Sequence, residues 1–264
     1  MKCPKCGSED ILIPRCMDCN KECMDCGYLW GENEDVLFIK DKYDDEKYID
    51  ATGNIVFAKG GDGTLLKAIN KFRHLKKPFF GIAGGTENFL MNDSNHTDVF
   101  DNAKIKKFNL IKVSVTRIIG GFVPQAVTEE FQAFNDVMIG GDMNSWIDFN
   151  VHDKDKIIGK FKGGGLIIST AQGSTGINKN NNGVILPLSS NMWSITGDKT
   201  NRKINYVIEP NRTTINCSSR SSITVWVDGQ NHIIKDVEKI EISKGDKVKI
   251  IFNDYDSFKR KRRL

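Results

Sequence analysis

Hydrophobic positions recur along this chain with two different periods, and the change of period divides it. In the first half, "NIVFAK" and "PFFGIA" are strand-length apolar runs. Between them Leu65, Leu66, Ile69, Phe72 and Leu75 are spaced to share one face of a helix. The order of strand, glycine loop, helix and strand predicts a βαβ unit with parallel strands, and Pro78 starts the second strand. "DVLFIK" predicts an earlier strand, and the acidic "DKYDDEKYIDATG" reads as a solvated connection. A second glycine loop, "GGTENFLMND", follows the unit.

From about Ile111 the period shortens to two. "IKVSVTR", "FQAFNDVMIG", "WIDFNVH", "GLIIST", "TTINC", "ITVWVD" and "KVKIIF" are short alternating runs separated by Gly, Asn and Asp turns, which predicts a β-rich second domain. The expected fold class is therefore α/β plus all-β. Its parts are a small segment over 1–30, an α/β domain over 31–110 and a β-rich domain over 111–264, with about 240–264 left open to return to the first domain.

Composition narrows the picture. With 264 residues and 39% apolar content, the chain can bury a sizeable core. A formal net charge of +4 suits an anionic ligand and falls short of a dedicated nucleic-acid binder, so "KRKRR" near the end reads as a solvated tail. The apolar runs are too short to span a bilayer and the N-terminus lacks the apolar core of a secretion signal, so a cytoplasmic protein is expected.

Six of the seven cysteines lie within the first 26 residues, as three Cys-x-x-Cys pairs. Two such pairs supply four thiolates to a tetrahedral zinc ion, because the two-residue spacer turns both sulfurs toward one centre. "CPKCG" and "CMDCGY" resemble the knuckles of a zinc ribbon, which assigns Cys3, Cys6, Cys23 and Cys26 to a structural Zn²⁺, with Cys16 and Cys19 as alternates for either pair. Cys217 stands alone in an alternating run and is expected to pack as a small apolar side chain.

The candidate chemistry lies in "FAKGGDGTLLKA". Gly60, Gly61 and Gly63, with Thr64 and a helix directly behind, can offer backbone N–H groups and a helix N-terminus to phosphate oxygens. The loop is not a Walker A sequence, for it holds no lysine. Its centre is a carboxylate, Asp62, suited to take a proton from an attacking hydroxyl or to hold Mg²⁺ on a nucleotide. The plainer alternative is a tight turn in which Asp62 only caps the helix.

"GGDGTLL" after a strand, then "FNDV", "GLIISTAQGST" and "VDGQ", occur in the order and spacing of one family. The chain resembles the NAD kinases over roughly Asp35 to Leu264. The resemblance implies a shortened Rossmann-like domain, a β-rich NAD-binding domain and transfer of phosphate from ATP·Mg²⁺ to the 2′-hydroxyl of the adenosine ribose of NAD. It also implies a dimer or tetramer. By the same resemblance Asp62 is the catalytic base, and Gly63, Phe89, Asn135, Asp136, Thr175, Gly176, Ile177, Asn180 and Gln230 join Asp62 in binding NAD.

The chain departs from the family pattern in places. Ala171 and Gln172 replace a Pro-Thr pair, Gly176 and Ile177 replace Ala-Tyr, and Gly164 replaces an aspartate. A catalytically weak relative that senses NAD or NADP, or a related hydroxyl kinase of the lipid-kinase type, are the alternative readings.

Overall fold

The computed structural model describes residues 11–12, 21–23, 29–30, 38–40, 48–86, 88–93, 103–119, 125–141, 146–154, 156–218, 223–234 and 237–255. In chain order its elements are β1 (Ile11–Leu12), β2 (Lys21–Cys23), β3 (Leu29–Trp30), β4 (Phe38–Lys40), β5 (Tyr48–Asp50), β6 (Val56–Gly60), α1 (Asp62–Phe72) and β7 (Phe79–Ala83). There follow β8 (Lys104–Ile119), β9 (Gln125–Ala133), β10 (Asp136–Gly141), β11 (Ile147–Asp153), β12 (Lys156–Ser169), α2 (Ile177–Asn180) and β13 (Trp193–Thr200). The last are β14 (Asn205–Ile208), β15 (Thr213–Ser218), β16 (Ile223–Val227), β17 (Gln230–Ile234) and β18 (Val237–Phe252). Two compact units result: Met1–Lys107 with Val248–Lys261, and Phe108–Lys247 with Arg262–Leu264.

In the first unit β6 and β7 pair in parallel from Val56 opposite Phe79 to Gly60 opposite Ala83, with α1 as the crossover. The end of β18 extends the parallel set, Ile250 standing opposite Phe79. Leu65, Ala68, Ile69 and Phe72 form the buried stripe of α1, while Leu66 and Leu75 are half-buried. The expected helix is thus present, but its last turn tightens to a 3₁₀ turn over Arg73–Leu75, which ends with Lys76 in the left-handed region (φ +56°). The acidic stretch is not wholly a connection. Tyr48–Asp50 pairs antiparallel to both β4 and β6, and Ile49 and Ala51 enter the core. A separate antiparallel sheet joins β1, β2 and β3.

In the second unit β10, β11, β12, β13, β14, β15, β16 and β17 pair antiparallel with their neighbours. Its sheet runs β17, β16, β10, β12, β11, β15 and β18, with β13 and β14 added beside β12 and with β8 and β9 forming a long ribbon. Alternation places Ile139, Phe149, Leu166, Ile168, Ile195, Ile215, Val225 and Ile240 in one buried cluster. Strands β13 and β14 were not separated from their surroundings by the sequence pattern. "FQAFNDVMIG", read as one run, is broken at Phe134 and Asn135 into β9 and β10. Cys217 packs in β15, and burial pushes its thiol up to about 12. Among the described residues no helix is long and apolar enough to cross a membrane.

Candidate active site

In the first unit β6 hands the chain to α1 through two glycines. Gly60 has φ +148°, a conformation that side chains rarely adopt. Its carbonyl accepts the Gly84 N–H at 2.8 Å, and a Cβ on Gly85 would lie 2.7 Å from Gly61 Cα. The two glycine loops therefore stack backbone on backbone, which only residues without side chains allow.

Asp62 is the first residue of α1, and the cap is Gly61, with no side-chain cap hydrogen bond. The plainer reading of Asp62 as a helix cap is thus overturned. Its carboxylate turns to the second loop instead, where Oδ2 accepts the Phe89 N–H and Oδ1 accepts the Leu90 N–H, both at 2.8 Å. That loop is itself anchored by buried Asn92. The Asn92 Nδ2 donates to the Gly81 and Ile251 carbonyls at 3.0 Å, and its Oδ1 accepts the Asn253 N–H at 2.9 Å. A carboxylate has about four lone-pair sites, so two backbone donors fix its direction without exhausting it as an acceptor. Gly63 is exposed, and a Cβ added there would meet nothing within 4 Å, while half-buried Thr64 donates its N–H to Gly61. The first turn of α1 is open to an approaching anion, and Phe89 lies half-buried in the same unit.

In the second unit the break between β9 and β10 is the work of Asp228, which the sequence pattern does not reveal. Its Oδ2 accepts the Phe134 N–H at 2.7 Å, and its Oδ1 accepts those of Asn135 at 2.7 Å and Asp136 at 3.3 Å. The Asp228 N–H returns a bond to the Asp136 carbonyl at 3.0 Å. Asp228 and Gly229 are the two residues of the β16–β17 hairpin, with φ +51° and +78°, as a type I′ turn demands. The Asp-Gly pair signalled that turn, but no local pattern signals that its carboxylate reaches back to Asn135. Gln230 opens β17 and is exposed.

The same turn leaves two polar groups in unusual states. Asn135 Oδ1 is buried and has no hydrogen-bond partner among the described residues, which is the condition a ligand donor would relieve. Burial first, and the nearby Asp228 charge second, push the Asp136 carboxyl up to about 7. A folded-state value above the ordinary one means that ionisation is penalised in the fold. The stabilising contribution of neutral Asp136 is complete below the ordinary carboxylate value of 3.8 and is lost as pH rises through about 7. Asp136→Asn is therefore expected to melt above the native protein at pH 8, with the difference shrinking toward pH 4, in parallel thermal denaturation series.

The loop after β12 braces this turn from beneath. The Thr170 N–H and Oγ1 both approach the Asn135 carbonyl at 2.9 Å, and Gln172 Nε2 donates to the Phe134 carbonyl at 2.7 Å. Gly173 packs against Asn135 so closely that a Cβ would lie 2.2 Å from its carbonyl oxygen. Further on, Ser174 Oγ donates to Ala171 and accepts the Leu186 N–H, and buried Asn178 donates to the Ser174 and Val184 carbonyls. Thr175 and Ile177 are half-buried, while Gly176 and Asn180 are exposed. Asn178, absent from the expected site residues, is the asparagine of α2 that builds the loop.

No family model matches the chain. It is 26% identical over 246 residues to the NAD kinase of Finegoldia magna, across 83% of this chain and 88% of that one. To the NAD kinase of Rickettsia akari it is 33% identical over 165 residues, 60% of each chain. It spans about half, 55%, of the NAD kinase of Rickettsia bellii at 29% identity. Among solved structures it is similar to yeast NADH kinase complexed with NADH, with TM-score 0.68, 16% identity and coverage of 80% of this chain and 64% of that one. It is also similar to the NAD kinase of Archaeoglobus fulgidus in complex with ATP, with TM-score 0.61, 20% identity and coverage of 79% and 80%. The fold is that of the NAD(H) kinases.

Two departures from the NAD kinase pattern have physical counterparts here. A Cβ on Gly164 would lie 3.8 Å from Asp198 Oδ2, so a carboxylate from β13 borders the space that the missing aspartate vacates. Gln172, in place of the shorter residue, joins the Thr170 hydroxyl in holding the Phe134 carbonyl. Of the cysteines that a ribbon beside an NAD kinase would use, Cys3, Cys6, Cys16, Cys19 and Cys26 lie outside the described residues, and only the backbone of Cys23 is described, at the end of β2 opposite Ile11. The basic "KRKRR" tail also lies outside them.

Proposed function

We propose that the protein is an ATP-dependent NAD kinase, moving the γ-phosphoryl group of ATP to the 2′-hydroxyl of the adenosine ribose of NAD to give NADP and ADP. The observation that carries this reading is Asp62, a carboxylate at a helix N-terminus that leaves capping to Gly61 and is aimed by the Phe89 and Leu90 N–H groups. In the reaction the ribose oxygen bonds to the γ-phosphorus, the bond from that phosphorus to the bridging oxygen breaks, and the hydroxyl proton passes to Asp62. Gly60, Gly61 and Gly63 present backbone to the phosphates, with the positive end of α1 behind them, and Thr64, whose N–H is bonded to Gly61, offers its hydroxyl. The unpartnered Asn135 Oδ1 supports a ligand donor at that position, and Asp136 completes the recognition of NAD. Phe89, Thr175, Gly176, Ile177, Asn180 and Gln230 are assigned to NAD through the resemblance.

Mg²⁺ on ATP neutralises charge on the phosphates and holds most of its shell in phosphate and water oxygens. Such an ion needs at most one or two protein carboxylates. Among the described residues no group of three or more His, Cys, Asp or Glu forms a metal cage.

The zinc site at Cys3, Cys6, Cys23 and Cys26, with Cys16 and Cys19 as alternates, stays part of the reading. Its support is the small sheet of β1, β2 and β3, whose strands of two and three residues are too short to hold together by burial alone. Purified protein is expected to carry zinc that is lost on Cys23→Ser, measured by elemental analysis. A dimer or tetramer in the cytoplasm completes the reading, and light scattering checks the assembly. Production of NADP from NAD, ATP and Mg²⁺ tests the function; protein that makes none, while folded, sinks it.

A further inference from the structure

Asp228 takes no part in the expected chemistry, yet it holds more of the Asn135 turn than any other side chain. Three consecutive N–H groups, of Phe134, Asn135 and Asp136, converge on its carboxylate at 2.7, 2.7 and 3.3 Å. Its backbone is pre-set for this by the left-handed conformation of the hairpin, φ +51°, next to Gly229. Hydrogen bonds to an ionised acceptor are stronger than neutral ones, and a carboxylate spanning three successive donors fixes the backbone that carries Asn135 and Asp136.

We propose that Asp228 is a positioning residue for NAD: it fixes the backbone that carries the Asn135 and Asp136 side chains and stands as a carboxylate beside Asp136. This rests on the reading of those two residues as the NAD-binding turn. The geometry separates the two parts of the role. The three hydrogen bonds position the turn. The charge acts on Asp136, and the strands beside it place Ser169 of β12 opposite Asp136 and Val227 of β16 opposite Val137, neither of them ionisable. Asp228 is then the charged group that faces Asp136, and it opposes ionisation there. A ribose hydroxyl donates well to a carboxylate and poorly to a protonated carboxyl, so NAD affinity should weaken as pH falls through the titration of Asp136.

The experiment measures KM for NAD, KM for ATP and kcat between pH 5.5 and pH 8.5 in the native full chain, Asp228→Asn and Asp228→Ala, with thermal melting of each and NAD titrated calorimetrically. At pH 8 the KM for NAD is expected to rise about tenfold in both variants, the effect of about one charge-assisted hydrogen bond, with KM for ATP and kcat little changed. Below neutrality the native KM for NAD climbs, and in both variants that climb begins at lower pH, because the opposing charge is gone. A purely structural role moves the melting temperature without moving the pH at which the climb begins. If Asp228→Ala does not fold, Asp228→Asn, which keeps one acceptor oxygen, carries the test. Native-like KM for NAD and a native-like pH profile in a folded variant overturn the inference while leaving the kinase reading in place. Native protein that does not bind NAD removes the kinase reading, and the inference with it.

Discussion

Asp62→Asn is expected to lower turnover by about 10²- to 10⁴-fold, the range that a positioned general base contributes, while NAD affinity stays close to native. Asparagine has nearly the shape of aspartate, but it is not a silent replacement at this position. The two carboxylate oxygens of Asp62 each accept a backbone N–H, from Phe89 and from Leu90. An amide has one oxygen, so its NH₂ must face one of those two donors. One hydrogen bond is lost and a donor is set against a donor, a cost of about 1 to 3 kcal/mol where the group is buried. A lower melting temperature is therefore part of the expectation, and the assay belongs well below it. The rate and the affinity then separate the two effects. A displaced second loop would move Phe89 and weaken NAD binding together with turnover, whereas loss of the base lowers kcat alone. Turnover within about tenfold of native in folded Asp62→Asn would show that the proton goes elsewhere.

The reason the role of Asp62 was legible in the sequence, and what Asp228 holds was not, is one of range. Glycines at 60 and 61 followed by an acid and a helical stripe place the chain locally: strand, tight turn, helix start. Each of those signals comes from the residue's own backbone preference. The partners of Asp62 were less accessible to that reasoning, since Phe89 and Leu90 lie 27 and 28 residues away in a loop whose glycines announced only flexibility of backbone. Asp228 lies 94 residues from Phe134, and its hydrogen bonds replace the strand pairing that "FQAFNDVMIG" would otherwise continue. Local alternation therefore favoured one strand where long-range bonds make two. The same limitation hid β5, whose acidic surroundings outweighed Ile49 in the pattern although Ile49 is buried between β4 and β6. Burial of Asp136, with its raised titration, likewise belongs to the assembled sheet and to Asp228, neither of which a residue-by-residue reading contains.

Gly173→Ala is expected to be the most damaging single methyl group in the second unit, lowering stability by about 3 kcal/mol or more, at the upper end of overpacking. The added Cβ would lie 2.2, 2.5 and 2.7 Å from the carbonyl oxygen, carbonyl carbon and Cα of Asn135. All three are backbone atoms, and none is free to retreat. The carbonyl is held by the Thr170 N–H and hydroxyl, and the Asn135 N–H is held by Asp228. Relief requires breaking one of these bonds, so the turn bearing Asn135 and Asp136 must move. Gly63→Ala is the control, a glycine in the other motif with nothing within 4 Å of the added methyl and a place in the first turn of a helix, where alanine is preferred. Its melting temperature is expected to stay at or slightly above native. Because Gly173 and Asp228 both act on the backbone of Asn135, their effects should not add. Once Asp228→Asn has loosened the turn, Gly173→Ala has less left to break, and a double-mutant cycle read by denaturant unfolding should show a coupling of at least about 0.5 kcal/mol. Strict additivity would mean that the two contacts hold separate structures, and the view of the Asn135 turn as one clamped unit would have to be given up.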